Sequence, residues 1–216
     1  MRLGRCGVVG DVHCETDTLA LVLDALGTLD IETVLCVGDL VDGEGDADAT
    51  LSLLASRNVQ CVAGNHERWF LTGEQRNLEF ATTSVSDSSR AFMESLPKVR
   101  HYDTAHGTAL LCHGVGEADE AWLLPETKGY ALQDIPTLRD LMLDEEVVFM
   151  IGGHTHQYMV RVFPGLTVIN AGTIHRRSDQ TFTVLDFDAM TVDVHDAAPS
   201  HRVIHHQELP LPPPVA

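Results

Sequence analysis

Three short apolar runs, each stopped by a glycine and then by an aspartate or asparagine, constrain this chain more than any other feature. Cys6–Gly10 leads into Asp11-Val12-His13. Thr33–Val37 leads into Gly38-Asp39-Leu40-Val41-Asp42. Val59–Ala63 leads into Gly64-Asn65-His66-Glu67. Apolar runs this short, bounded by turn residues, predict buried strands. Between the first two, Thr16–Gly27 carries Leu19, Leu23 and Leu26 at helical spacing, with Thr16 or Asp17 as N-cap and Gly27 as stop. Ala47–Ser56 reads as a second helix. The order β-α-β-α-β demands a parallel sheet with right-handed crossovers.

Further along, the spacing predicts a helix over Ser84–Ser95, stopped by Pro97, and strands near Val99–Asp103 and Thr108–Cys112. Residues 115–145 form an acidic insert containing Trp122, Pro125, Tyr130 and Pro136, with a helix near Thr137–Leu143. Strands follow near Val147–Ile151, Tyr158–Phe163, Thr167–Ile169, Phe182–Phe187 and Thr191–His195. The last ones meander, which brings in antiparallel pairing. The expected organisation is one domain over residues 1–200 and a Pro/His-rich tail over 201–216. That tail is expected to run extended along the surface or to be mobile, and His205 and His206, lacking a third donor nearby, to be solvated.

Asp and Glu outnumber Lys and Arg by 32 to 14, a formal charge of −18. Such a surface repels phosphate backbones and anionic lipid, so long-range electrostatic capture of nucleic acid is not expected. A local cationic centre is compatible with that charge. The five cysteines are scattered, with no C-x-x-C pair, and most sit in strand-like runs, which predicts reduced core thiols. Cys14, beside His13, is the one worth watching. No stretch reads as a secretory signal or approaches the roughly 18 apolar residues of a span, so the expected location is the cytoplasm.

The chemistry lies at five strand ends. To Asp11, His13, Asp39, Asn65 and His66 the sequence adds His113 after Cys112, and His154 and His156 in Gly153-His154-Thr155-His156 after Ile151. In open α/β sheets the ligand crevice lies outside the carboxyl ends of the strands. Taken singly, each motif is an ordinary turn. Taken together they bring carboxylate, carboxamide and imidazole donors to one edge, a mixture suited to divalent first-row metals. There are more donors than one tetrahedral ion uses, so two ions sharing a carboxylate is the economical arrangement.

This ordered set resembles the calcineurin-like binuclear metallophosphoesterases, whose pattern is Asp-x-His, Gly-Asp-x-x-Asp, Gly-Asn-His-Glu/Asp, a later His and Gly-His-x-His. The match runs from Gly10 to about Thr173, where Asn170-Ala171-Gly172-Thr173 is similar to the family's turn after its last metal motif. Two local departures are Gly43-Glu44-Gly45 after Asp42 and Cys112 before His113. The resemblance implies an α/β fold of the four-layer α/β/β/α type, with two mixed sheets inside and helices outside. It implies one metal held by Asp11, His13, Asp39 and His156, and a second by Asp39, Asn65, His113 and His154. His66 then contacts the phosphate and either stabilises charge or protonates the leaving oxygen. Manganese is the expected metal, with iron, zinc or nickel as family alternatives. The activity implied is phosphoester hydrolysis, foremost of diesters, by hydroxide bridging the two ions. A single-stranded endonuclease or a phosphomonoesterase of the same superfamily is the alternative, and a non-catalytic metal-binding scaffold a minor one. Expected partners are a phosphoester, such as a nucleotide or short single strand, and no membrane.

Supporting roles are expected for Asn65, Arg68, His175 and Arg176 on the substrate, with Arg177 as a further phosphate contact, the alternative for the three arginines being ordinary exposed residues. Glu67 or another carboxylate is expected either to orient His66 or to serve as a helix N-terminal acid. Asp42 either supports a ligand or caps a helix. Trp69 and the insert are expected to wall the pocket, to stack on a base or to pack in the core.

Overall fold

The computed structural model describes residues 2–74, 77–198 and 200–215. Met1 and Ala216, the outer ends of the expected domain and tail, lie outside the described residues, as do Gln75, Arg76 and Pro199. The chain runs β1 (Arg5–Val9), α1 (Thr16–Thr28), β2 (Val34–Cys36), α2 (Ala47–Ser56), β3 (Gln60–Cys61), α3 (Asn65–Thr72), α4 (Asp87–Glu94), β4 (Arg100–Thr104) and β5 (Gly107–Leu111). It continues with α5 (Tyr130–Gln133), α6 (Pro136–Met142), β6 (Val147–Gly152), β7 (Met159–Phe163), β8 (Leu166–Asn170), β9 (Thr181–Asp186), β10 (Thr191–Asp196) and β11 (Val203–Glu208).

Two mixed sheets result, one ordered β11-β10-β9-β1-β2-β3 and the other β4-β5-β6-β8-β7. In the first, β1, β2 and β3 are parallel, with Gly7 opposite Val34 and Cys36 opposite Cys61. The antiparallel strands β9, β10 and β11 extend it on the other side of β1. In the second, β5, β6 and β8 are parallel, with β4 and β7 antiparallel at the edges.

Alternation along the strands builds three apolar layers from these two sheets. Cys6 and Val8 of β1, Leu35 of β2, Leu111 of β5, Phe149 and Ile151 of β6 and Leu185 of β9 meet in the layer between the sheets. Phe149 and Phe187 meet there edge-on at 5.1 Å. Val9, Cys36, Phe182 and Val184 face the other way, onto Leu19, Leu23 and Leu26 of α1 and Leu51 and Leu54 of α2. On the far side, Leu110, Cys112, Met150 and Val168 pack under Leu123, Ile135 and Leu138. The insert therefore supplies the outer layer over the second sheet, completing the four-layer sandwich.

Three sequence expectations change. The boundary placed at residue 200 falls within the sheet: Val203–Glu208 pairs with β10, and Leu209 is buried. The proline-rich end is tied down through its carbonyls, which need no N–H of their own. Thr167 Oγ1 donates to the Pro210 carbonyl at 2.7 Å and the Gly165 amide to that of Pro213 at 2.8 Å. Helix α3, for which apolar spacing gives little sign, starts at Asn65, because Glu67 in its first turn accepts from the Gly64 amide at 2.8 Å; it ends at Gly73, left-handed at φ 71°. The cap of α2 is Asp46, which accepts from the Ala49 amide at 3.0 Å, and not Asp42. All five cysteines are free and buried, and among the described residues no helix is long and apolar enough to cross a membrane.

Candidate metal centre

Five strand ends deliver side chains to one crevice between the sheets, and the backbone there is bent to do it. Asp11 (φ 33°), His13 (φ 44°), Asp39 (φ 50°), His154 (φ 67°) and His156 (φ 58°) all lie in the left-handed region. Each such residue costs about 1–3 kcal/mol and persists only where surrounding contacts impose it. Those contacts are visible. Thr173 Oγ1 donates to the Asp11 carbonyl at 2.8 Å, and Asn170 Nδ2 to that of Gly153 at 2.7 Å, so the Asn170–Thr173 turn braces two of the loops. At Gly64 a Cβ would stand 2.2 Å from Asp39 Oδ1, which explains a glycine there.

Asp11, His13, Asp39 and His156 place one donor atom each within 4.8 Å of one another, and so do Asp39, His113 and His154. Asp39 belongs to both groups. Asn65 Oδ1 joins the second at 2.9 Å from His113 Nε2. The sequence-derived metal donors are thus brought together, in the two sets that the resemblance implies.

The polarity of the atoms fits a cation. His13 Nδ1 faces the carbonyls of Val41 and Asp42 at 3.2 and 3.0 Å, so the proton sits on Nδ1 and a lone pair on Nε2. That lone pair points at His156 Nε2, 3.2 Å away. His113 Nδ1 likewise donates to the Val37 carbonyl at 2.8 Å, leaving Nε2 among Asn65 Oδ1 and Asp39 Oδ2, the latter at 3.2 Å. Asp11 Oδ2 and His154 Nε2 are buried with no hydrogen-bond partner. At His13–His156, Asp11 Oδ2 and His154 Nε2 no donor faces these acceptors and a cation would supply the missing partner; at His113 Nε2 a proton takes that place.

Burial lowers His13 and His154 to about 4 and His156 to about 3, so these rings stay neutral and able to ligate. Burial acts the same way on His113, but Asp39 and Asp11 overrule it and push the ring up to about 10. Burial raises Asp11 to about 7. Burial also opposes ionisation of Asp39, yet His113, His66 and His13 hold it far below the ordinary carboxylate range.

His66 stands beside these groups. Its Nδ1 lies 2.8 Å from Asp42 Oδ2 and its Nε2 3.7 Å from Asp39 Oδ2. Burial lowers its pKa, but the Asp42 hydrogen bond and the Asp39 charge carry it above the usual imidazole value. Asp42 therefore orients His66, and its Oδ1 accepts from the Thr82 amide at 2.7 Å. Glu67 does something else: its carboxylate takes the amides of Asp39, Leu40, Val41 and Gly64 at 2.7–3.2 Å. It clamps the loop that carries the shared aspartate.

The expected substrate contacts divide. His175 lies 4.9 Å from the His13 ring and 5.8 Å from the His156 ring, in a cleft of about 180 Å³ with His66, Phe80 and Arg177. Arg68 is instead held by Asp119 at 2.6 Å, Glu74 at 2.7 Å and Glu120 at 3.0 Å. Arg176 is held by Glu15 at 2.6 Å and Glu44 at 3.0 Å. Arg177 reaches the cleft but pairs with Glu79 at 3.0 Å and Glu44 at 3.3 Å. Cys14 is buried, with its thiol pushed up to about 12 by burial, and joins neither donor group. Thr82 and Asp119, distant in the chain and in no motif, gave no sequence signal of these contacts.

Comparison with known proteins agrees with this geometry. Residues 5–190 match the model of the calcineurin-like phosphoesterase superfamily domain. A probable metallophosphoesterase of Methanothermobacter thermautotrophicus is 26% identical over 192 residues, 87% of this chain and 88% of that one. Among solved structures, a metallophosphoesterase of Sphaerobacter thermophilus superposes with a TM-score of 0.64 at 20% identity, over 89% of this chain and 87% of that one. An archaeal phosphodiesterase superposes with a TM-score of 0.55 at 12% identity, over 88% of this chain and 98% of that one. With a family model spanning most of its length and the family's motifs converging in one crevice, the chain belongs to the calcineurin-like phosphoesterase superfamily.

Proposed function

We propose that the protein is a phosphodiesterase that works with two divalent ions, manganese foremost, one in each donor group. The observation that carries this reading is Asp39, shared by both groups, with His66 beside it. Asp11, His13, Asp39 and His156 would hold one ion; Asp39, Asn65, His113 and His154 the other. When bound, such ions supply positive charge against phosphoryl oxygens and make water a better nucleophile near neutral pH.

The chain's own residues do the rest. The carbonyls of Val37, Val41 and Asp42 hold the His113 and His13 tautomers with Nε2 turned inward. Glu67 fixes the Asp39 loop, so the donors need little rearrangement. His66 is fixed at Nδ1 by Asp42, and its pKa is raised above the usual imidazole value, which favours a proton on Nε2. There it can bond a phosphoryl oxygen and pass the proton to the leaving oxygen.

A diester suits this crevice better than a monoester. Arg68, Arg176 and Arg177 are already neutralised by carboxylates, so a dianion gains no arginine where a monoanionic diester needs none. Five free, buried thiols favour a reducing compartment, the cytoplasm. The test is hydrolysis of bis-p-nitrophenyl phosphate against p-nitrophenyl phosphate and single-stranded DNA, with manganese added and bound metal counted. Two manganese per chain and faster turnover of the diester are expected. One ion per chain, or faster turnover of the monoester or DNA, would overturn the reading.

A further inference from the structure

Both tryptophans of this chain lie against histidines of the site. Trp69 is 4.8 Å from the His66 ring, on the helix that carries it. Trp122 is more unusual. It is 59% exposed, yet its ring stands 5.3 Å from that of His154 in an edge-on arrangement. A single exposed apolar ring is ordinary on a protein surface; what marks this one is its place against a donor histidine of the crevice.

The segment is anchored on all sides. Leu123, the next residue, is buried in the layer over the second sheet. Arg161 donates to the carbonyls of Leu124 and Thr127 at 3.1 and 2.7 Å, and the Leu124 amide to Thr127 Oγ1 at 3.0 Å. Upstream, Val115 and Ala118 pair through their backbones, and a Cβ on Gly114 would stand 2.4 Å from the Ala118 carbonyl. The fold therefore holds an apolar ring in solvent at a fixed place, directly beside a donor of the second group. Asp119 and Glu120, just before it, are engaged by Arg68, which lies next to Trp69 in α3.

Resting on the phosphodiesterase reading above, we infer that Trp122 is the stacking surface for a flat aromatic group, a nucleobase, on one ester arm of the diester. The Trp122 ring supplies a sequence-tolerant π face, preorganised by Leu123 and Arg161. The phosphate enters with one negative charge, and the base then buries a ring that otherwise stays wet.

Two diesters with the same p-nitrophenolate leaving group test this: thymidine 5′-(p-nitrophenyl phosphate) and methyl p-nitrophenyl phosphate, each with manganese-loaded protein. For the nucleoside ester, kcat/KM should fall roughly tenfold in Trp122→Ala. For the methyl ester it should stay within about twofold, and Trp122→Phe should retain most of the nucleoside preference. Bound manganese should not change. Tryptophan fluorescence gives a second readout: quenching by thymidine 5′-monophosphate should drop by more than half in Trp122→Phe. Equal losses on both esters, or lost manganese, would make Trp122 a positioning residue for His154 and overturn the inference. An unchanged ratio with unchanged quenching would overturn it too, while leaving phosphodiester hydrolysis intact. Failure of the wild type on both esters would overturn the phosphodiesterase reading itself, and this inference with it.

Discussion

Two histidine pairs lie in the last third of the chain, and they have different fates. His154 and His156 follow β6 into the crevice; His205 and His206 lie on β11, the outermost strand of the first sheet. The first pair meets Asp11, His13, Asp39 and His113, arriving from other strand ends, and burial keeps both rings neutral. The second pair alternates across an exposed edge: His205 bonds Gln207 at 2.8 Å and His206 bonds Asp193 at 2.5 Å. Imidazoles close together in sequence are therefore not a metal site. Convergence of parallel strand ends, with carbonyls fixing the tautomers, is what sets the crevice apart.

The largest effect should come where the crevice is most connected. Asp39→Ala removes the oxygen donor common to both groups. Turnover should fall below about a thousandth of wild type, and elemental analysis should find little bound metal. Retained turnover would dissolve the distinction between crevice and edge. Next comes His66→Ala, which should cost about 100-fold or more in kcat with metal content unchanged. Loss of metal there would make His66 a ligand. Asp42→Asn should follow His66 in direction at a smaller size, because Asp42 acts through the ring, aiming it and raising its pKa.

Glu67→Gln tests the support of the crevice instead of its donors. The buried carboxylate accepts four backbone amides, and a carboxamide would turn an NH2 toward some of them. One unmatched buried donor costs about 1–3 kcal/mol, a fall of several degrees in Tm, and metal affinity should weaken by about 10- to 100-fold. A variant as stable and as well loaded as wild type would show that the Asp39 loop holds itself.

This is also where legibility in the sequence divides. Asp11, His113 and His156 could be read because a donor after an apolar run is a one-dimensional pattern. The roles of Glu67 and Asp42 could not: both are carboxylates near His66, and only the fold decides that Asp42 turns to its ring and Glu67 to the backbone. The left-handed φ of five donors was equally hidden, since none is glycine. Arg68 and Arg176 looked like phosphate contacts because their partners Asp119 and Glu15 lie far away in the chain. Strand β11 was obscured by the prolines that follow it, although they begin only after the pairing has ended.

Proton release on metal loading sharpens the contrast in another currency. In metal-free protein the His113 proton, with a pKa of about 10, is held at pH 8, whereas Asp11, at about 7, is mostly ionised there. Binding requires both groups deprotonated. Loading should therefore release about one proton at pH 8 and about two at pH 6, and affinity should rise with pH across this window. His13, His154 and His156, lowered to about 4, 4 and 3, add nothing at either pH. Calorimetry in buffers of different ionisation enthalpy reads the number directly. Equal release at the two pH values would remove Asp11 from the account.

The smallest effect belongs to the edge. His206 and Asp193 face each other across β10 and β11, but the His206 side chain is 62% exposed, so water competes for their hydrogen bond. Such a surface pair is worth about 0.5 kcal/mol or less after screening. His205 gains a bond within its own strand, to Gln207, and an edge-on contact with the Tyr158 ring at 5.8 Å. What holds β11 is its backbone ladder, buried Leu209 and the Pro210 carbonyl, and a double His205→Ala, His206→Ala variant leaves all three in place. Its Tm should stay within about two degrees of wild type, with metal content and diester turnover unchanged. Loss of one metal equivalent in this variant would mean that two imidazoles on an exposed edge suffice. Convergence would then no longer be what separates the crevice from the rest of the sheet.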